Sequence, residues 1–281
     1  MSDPLDPTGE LLTLQAAAER LKVHYMTAYR WVRRGDLPAF KAGGRLRVRA
    51  EDVDRFVQQR RVDVLLPDPT GRTDWPTHIE RLYDLLVEGR ALDANHLVRK
   101  VIADGAPVGQ VYLELLTPTL HRIGDAWASG SLTVSQEHRA SEICRAVISR
   151  LSDTFRRRGP SRGTAVTLTP AGEQHGIAAA MAADFLRAGG YEVHHLGVDV
   201  PAGDLRLFLQ VVPCDLMCVS MTAPVDDPAV YTELVQAADG DPRPAVVFGG
   251  QGADPQLAQE AGGAHLASMG DLVPSLESLT A

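Results

Sequence analysis

The spacing of apolar positions changes character along the chain. In the first stretch, TLQAAAERL and HYMTAYRWVRR each carry apolar residues at helical spacing. They predict one helix over 14–21 and a second from 24 or 25 to 34, stopped by Gly35. Two short helices joined by a tight turn make a helix-turn-helix. Over FKAGGRLRVR, apolar and basic residues alternate about Gly43 and Gly44, a hairpin signal that forms a wing. Alternation places the charges of the wing arginines on one face. A last helix over 51–61 closes this segment. Prolines at 67, 69 and 76, with Gly71, then mark a linker, assigned to 62–75.

From residue 76 to about 158 the period is helical throughout. Ile79, Leu82, Leu85 and Leu86 lead into Leu97 and Val101, then Val111, Leu115 and Leu116, then Ile143, Val147 and Leu151. Breaks at Gly89, at Gly105 to Pro107 and at Gly130 divide it into about four helices. RRRGPSRG (156–163) reads as a second linker. Beyond it, the apolar runs AVTLT, YEVHHLG, CDLMCVSMT, AVVFGG and HLASM alternate with helical stretches. That alternation predicts a parallel sheet with helices on both faces. The expected fold is multidomain: a winged helix-turn-helix at 11–61, a four-helix bundle at 76–158 and an α/β domain at 163–281.

Length and composition agree with this division. At 281 residues the chain has room for about two domains, or three small ones. A 44% hydrophobic and 23% charged composition excludes a disordered or fibrous chain. No apolar run approaches the ~20 residues that span a bilayer. The acidic start MSDPLDPTGE does not read as a signal peptide. Cys144, Cys214 and Cys218 are too few for a disulfide framework and fall in apolar segments, which fits core positions and a reducing cytoplasm.

Charge changes the picture more. The net charge of −8 hides an asymmetry: residues 12–61 hold 12 Lys and Arg against 5 Asp and Glu, and the rest hold 16 against 31. A basic end on an acidic chain points to an anion-binding head attached to something with another task. The alternative on charge alone is a chance cluster of solvated arginines.

TAYRWVRRGDLPAFKAGGRLRV followed by AEDV resembles the winged helix-turn-helix of excisionase and MerR-like regulators, over about 50 residues. The resemblance implies that the second helix enters the major groove of double-stranded operator DNA. Tyr25, Met26, Thr27, Tyr29 and Arg30 would then approach base edges. Arg33, Arg34, Lys41, Arg45, Arg47 and Arg49 would mainly meet phosphate. Trp31 and Leu37 are expected in the core, and His24, where Ser or Thr is usual, receives no role. A single such module binds DNA weakly, so a working regulator presents several copies.

Candidate chemistry lies further on. Trp127 precedes Glu137-His138 in WASGSLTVSQEH. Taken alone, such a Trp reads as core and such a pair as surface, and no second histidine makes it a zinc-protease motif. In TPAGEQHGIAAA, Glu173 and His175 lie in the loop after the first strand, where parallel sheets bind ligands. A histidine with a carboxylate two residues away suits a metal ligand held by an acid. The alternative is a helix-capping glutamate beside a solvated histidine. Ser220-Met221-Thr222 ends the third strand and Gly249-Gly250-Gln251-Gly252 the fourth. Gly-Gly after a strand lets a bulky group approach the backbone, and the spacing is not a dinucleotide fingerprint.

Together these segments resemble the cobalamin-binding module of methionine synthase and, more fully, the B12-dependent photoreceptor regulators of the CarH/LitR type. The shared elements are the MerR-like head, Trp127 and Glu137-His138 in a helical cap, Gly172-Glu173 with His175, LGVDVP (196–201) and GGQGA (249–253). The resemblance implies a flavodoxin-like, Rossmann-type cobalamin domain. His175 would be the lower axial ligand to cobalt, oriented by Glu173. The cofactor's displaced nucleotide tail would enter between the loops carrying Ser220, Thr222, Gly249, Gly250 and Gly252. Trp127, Val134, Glu137 and His138 would face the adenosyl group of adenosylcobalamin. Three departures stand out: Ala178 replaces a usual glycine, Thr222 the leucine of a usual Ser-x-Leu, and Ala128 the histidine that often follows the tryptophan.

The functional expectation is a cytoplasmic, non-enzymatic, light-responsive repressor. Its adenosylcobalamin state controls assembly into a dimer or tetramer, and hence DNA binding, with no membrane partner. The alternatives are a cobalamin sensor indifferent to light, a corrinoid carrier in methyl transfer, and a DNA-binding protein whose flavodoxin-like domain is empty.

Overall fold

The structure, a computed structural model, describes residues 11–35, 37–59, 73–157, 159–240 and 243–279. Of the linker expected at 62–75, all but the last three residues lie outside these ranges. The chain divides into two compact units, Met1–Val62 and Asp63–Ala281.

In the first unit, β1 (Leu11–Thr13) leads into α1 (Leu14–Arg20) and α2 (Tyr25–Arg34), then β2 (Phe40–Ala42), β3 (Arg45–Arg49) and α3 (Ala50–Gln59). The sequence did not announce β1. It is too short to show alternation and is a strand because it pairs antiparallel with β3, giving a sheet of order β1-β3-β2. Gly43 and Gly44 take φ of 59° and 77°, the left-handed pair that a tight hairpin needs. His24, given no role above, is the N-cap of α2. Its Nδ1 accepts the Met26 amide at 3.3 Å, doing with an imidazole nitrogen what a Ser oxygen usually does. Gly35 ends α2 at φ 77°. Trp31 packs its ring on Phe56 at 4.9 Å, and Leu37 and Val48 are fully buried, forming the small core.

In the second unit, α4 (Trp75–Val87) and α5 (Ala91–Ala103) are followed by α6 (Val108–Gln110). α6 passes through one π turn, Val111–Leu116, into α7 (Thr117–Ala128), and α8 (Val134–Leu151) completes a four-helix bundle. A reciprocal Thr133–Gln136 capping box starts α8. The α/β part runs β4 (Thr164–Pro170), α9 (Ile177–Gly189), β5 (Glu192–Val200), α10 (Ala202–Val211), β6 (Leu216–Ser220), α11 (Ala229–Ala237), β7 (Ala245–Gly249), α12 (Pro255–Glu260), β8 (Ala264–Leu266) and α13 (Leu272–Leu279). All five strands are parallel, in the order β5-β4-β6-β7-β8. This is the flavodoxin-like order, and the chain reverses direction across the sheet between β4 and β6. β5 runs to Val200, three residues past the predicted YEVHHLG. A bulge carries it on: Thr167 pairs with His195 but Leu168 with Gly197, whose φ of 85° absorbs the extra residue.

The bundle and the sheet share a core. Leu82, Leu115 and Val147 of the bundle join Met181 and Phe185 of α9 and Leu276 of α13 in one apolar cluster. A second cluster, with Val166, Met217 and Phe248, fills the other face of the sheet. A buried polar knot crosses the first. Tyr112, set within the π turn, donates its hydroxyl to Asp184 Oδ2 on α9 at 2.8 Å. Asp184, 1% exposed, also accepts from Ser152 Oγ and from Arg187 Nη1 at 2.7 Å. The Tyr112 ring lies 4.7 Å from Phe155 and 6.0 Å from Phe185. A buried carboxylate is stable here because three donors, from Tyr112, Ser152 and Arg187, satisfy it.

Asp184→Ala removes the acceptor shared by three donors and strands the buried Tyr112 hydroxyl. It is expected to cost ~3 kcal/mol, read as a lower urea midpoint, with Asp184→Asn losing less. Equal midpoints for all three proteins would contradict the knot's role.

Candidate functional site

The loop after β4 is clamped before it carries any chemistry. Thr169 Oγ1 donates to the Glu173 carbonyl at 2.6 Å and accepts the Asp199 amide at 3.0 Å. The Gly172 amide donates to Asp199 Oδ1 at 2.7 Å. Asp199 holds a left-handed φ of 58°, which turns its carboxylate back onto the loop. The end of β5 thus fixes residues 172–173.

Glu173 is the hub. Its Oε2 accepts the amides of Thr222 and Ala223, both at 2.8 Å, and its Oε1 accepts the His175 amide at 2.8 Å. The same Oε1 meets His175 Nδ1 at 2.6 Å. The carboxylate therefore joins the loop after β4 to the loop after β6, across the switch point of the sheet. Burial pushes the Glu173 carboxyl up, but the bonds from Ala223, His175 and Thr222 outweigh it and hold the group below its ordinary value. Glu173 does not cap α9: its amide partners are Thr222, Ala223 and His175, not the first turn of that helix. An ionised carboxylate only accepts, so His175 Nδ1 carries a proton, and in the neutral ring Nε2 keeps its lone pair. The His175 side chain is 60% exposed.

Ser220 is buried, and its Oγ has no hydrogen-bond partner among the described residues. Thr222 is half-buried. The neighbouring loop packs closely on two of the glycines. Met221 exchanges backbone bonds with Gly249 (2.8 Å) and Gly252 (2.9 Å). A Cβ on Gly250 would lie 2.1 Å from the Met221 carbonyl oxygen, and one on Gly252 2.1 Å from that of Ala223. What approaches Gly250 and Gly252 is the neighbouring loop. At Gly249 the nearest atom, the Leu266 carbonyl oxygen, is 3.4 Å away.

On the bundle, Trp127 is 48% and Val134 55% exposed, so the tryptophan is not core. Glu137 Oε1 accepts from Ser141 Oγ at 2.6 Å, and Oε2 meets His138 Nδ1 at 2.6 Å. Burial raises the Glu137 pKa, but the Ser141 and His138 bonds and the charges of His138 and His175 lower it more. The contribution from His175 brings the start of α8 within electrostatic reach of the β4 loop. Sequence reasoning missed Ser141, because a helical serine reads as neutral surface. Its spacing of four from Glu137 was the available signal. Cys144, Cys214 and Cys218 are all buried.

In the first unit, Tyr25, Met26, Arg30, Arg33 and Lys41 are exposed, while Thr27, Tyr29 and Arg47 are half-buried. Tyr25 stacks on Tyr29 at 6.4 Å, and Arg30 Nε donates to the Met26 carbonyl at 3.4 Å. The side chains of Arg34 and Arg45 lie outside the described residues. Arg49 covers the Phe40 ring at 5.0 Å.

Comparison with known proteins gives the class. Residues 11–61 match a helix-turn-helix domain, and residues 78–152 and 163–274 match two B12 binding domain families. The chain thus joins a helix-turn-helix head to a helical and an α/β B12-binding part. It is 35% identical over 129 residues to the HTH-type transcriptional repressor CarH of Myxococcus xanthus. That match covers 46% of this chain and 42%, less than half, of the repressor. The three domains and this similarity support the resemblance to CarH-type B12-binding transcriptional regulators. The fold is also similar to the monomethylamine corrinoid protein of Methanosarcina barkeri (TM-score 0.60, 18% identity, 70% of this chain and 96% of that one). Among the described residues, no helix is long and apolar enough to cross a membrane.

Glu173→Ala strands three amides and is expected to lower stability by ~2 kcal/mol at pH 7. A lowered carboxyl pKa stabilises fully above its ordinary 4.5 and fades as pH falls through the lower folded value. The gap between wild type and variant should therefore close in acid. Melting temperatures from pH 7 down to pH 3 measure it, and a gap independent of pH would count against an ionised Glu173.

Proposed function

We propose that the chain is a cobalamin-dependent transcriptional regulator: a light-responsive repressor, not an enzyme, acting in the cytoplasm on double-stranded operator DNA. The observation that carries this reading is the Glu173–His175 pair, an imidazole with Nδ1 held at 2.6 Å and Nε2 free, in a chain that also bears a helix-turn-helix domain. Among the described residues, no group of three or more His, Cys, Asp or Glu could hold a metal ion. One free imidazole suits a metal that arrives already held in a macrocycle, as cobalt is in cobalamin. The unpartnered Ser220 hydroxyl suits a polar group inserted between the β6 and β7 loops.

In this reading His175 Nε2 would hold the cobalt, and Glu173 would keep the Nδ1 proton in place. Ser220, Thr222, Gly249, Gly250 and Gly252 border the slot for the nucleotide tail. Trp127 and Val134 present apolar surface to the adenosyl group, and Glu137, steadied by Ser141, accepts from its hydroxyls or amine, with His138 alongside. Bound adenosylcobalamin supplies a cobalt–carbon bond that light breaks. Filling the space at Trp127 holds bundle and sheet in one arrangement, which assembles a dimer or tetramer. Emptying it loosens that arrangement, and losing multivalency lowers DNA affinity by ~10²–10⁴ with the heads untouched. Tyr25, Met26, Thr27, Tyr29 and Arg30 read bases, while Arg33, Lys41, Arg45 and Arg47 meet phosphate.

Ala128 favours a second reading, a cobalamin sensor that ignores light, because no imidazole follows Trp127 to take the emptied position. The test is operator binding by the full chain with adenosylcobalamin in darkness and after green light. The light-responsive reading expects tight dark binding and a loss of at least tenfold on illumination. Unchanged affinity, with methyl-, hydroxo- and adenosylcobalamin equivalent in darkness, supports the sensor instead. His175→Ala, which removes the ligand itself, should weaken cobalamin binding by more than the ~10–100-fold that losing an outer partner of a metal ligand costs.

A further inference from the structure

We infer that Arg145 and Ser149 of α8, with His195 of β5, form a subsite for one peripheral carboxamide arm of the corrin ring. The inference rests on, and deepens, the reading of His175 as the cobalt ligand.

Helices α8 and α9, with His195 of the edge strand β5, line a groove of 320 Å³. Its apolar wall is Ile148, Ile177 and Ala180. Its near end adjoins the candidate ligand: Arg145 Nη1 lies 3.4 Å from where a Cβ on Gly176 would sit, the residue directly after His175. The same helix carries Glu137, whose pKa responds to His175. A corrin held on His175 would bring its rim to this groove.

The donors there are unevenly committed. Arg187 is engaged by Asp184 at 2.7 Å, so both are neutralised in place. Arg145 uses only Nε, which meets Glu142 at 3.3 Å. Among the described residues its Nη nitrogens and the Ser149 hydroxyl carry no hydrogen bond. His195 Nδ1 meets Thr167 Oγ1 at 2.9 Å, which leaves Nε2. The free groups are thus a guanidinium fork, a hydroxyl and one ring nitrogen, over an apolar wall. A primary carboxamide matches them, with a carbonyl for the fork and an NH₂ for the hydroxyl or imidazole. A groove of this volume takes a side arm, not a macrocycle. Glu142 already balances the Arg145 charge, so a neutral acceptor suffices, while a carboxylate would gain a charge-assisted bond.

The test titrates cobalamin into the full chain in darkness, followed by absorbance, and needs no DNA. Arg145→Ala is expected to raise Kd about fivefold while the imidazole-bound cobalt spectrum stays unchanged, with Arg145→Lys between. A series of cobalamins, each with one peripheral carboxamide hydrolysed to carboxylate, probes the site without relying on any variant. One member should bind wild type about threefold more tightly than cobalamin, and lose that gain in Arg145→Ala. Wild-type affinity in both Arg145→Ala and Ser149→Ala, with no member of the series preferred, overturns the subsite and leaves His175 standing. Failure of the wild type to take up cobalamin overturns both.

Discussion

The second unit is organised around one buried carboxylate. Glu173 accepts two amides from the loop after β6 and one from its own loop, and still faces an imidazole at 2.6 Å. The switch point of a parallel sheet would otherwise be a crevice with two independent walls. One anion closes it and aims a ring nitrogen outward. Satisfying the acid and orienting the histidine are the same set of bonds, so neither can be changed alone.

The same economy recurs where the bundle meets the sheet. Tyr112 comes into reach of Asp184 because a π turn interrupts the α6–α7 helix, and α9, which carries Asp184, starts two residues after His175. The helix that ends near Trp127 and the helix that follows His175 are therefore tied within one core. Such an interface has discrete packings rather than a continuum, which is what a two-state switch requires. The first unit is independent in its core and owes its shape to a small apolar cluster and a hairpin.

Much of this was legible from residue patterns. The 3.6 period gave the bundle its helices, because each carries a wide apolar stripe. The alternation of apolar runs with helical stretches gave the parallel sheet. Glu173, His175, Ser220 and Thr222 stood out because they follow strands. Other features depend on partners distant in sequence. β1 is a strand only through β3, and His24 is a cap only through the Met26 amide. Gly250 and Gly252 stood out as glycines after a strand, but the carbonyls that lie where their Cβ atoms would sit belong to a loop some thirty residues earlier in the chain, which local sequence does not reveal. The π turn, the Asp184 knot and the Ser141 support for Glu137 left no local signal beyond single polar residues at helical spacing.

The most direct measurement is electron paramagnetic resonance of the cobalt(II) form of cobalamin bound to the full chain, with and without ¹⁵N-labelled histidine. If His175 Nε2 holds the cobalt, labelling collapses the nitrogen splitting from triplets to doublets, and His175→Ala abolishes that change. A triplet pattern indifferent to the label would mean that the cofactor keeps its own base, and that Glu173 aims the imidazole at something else.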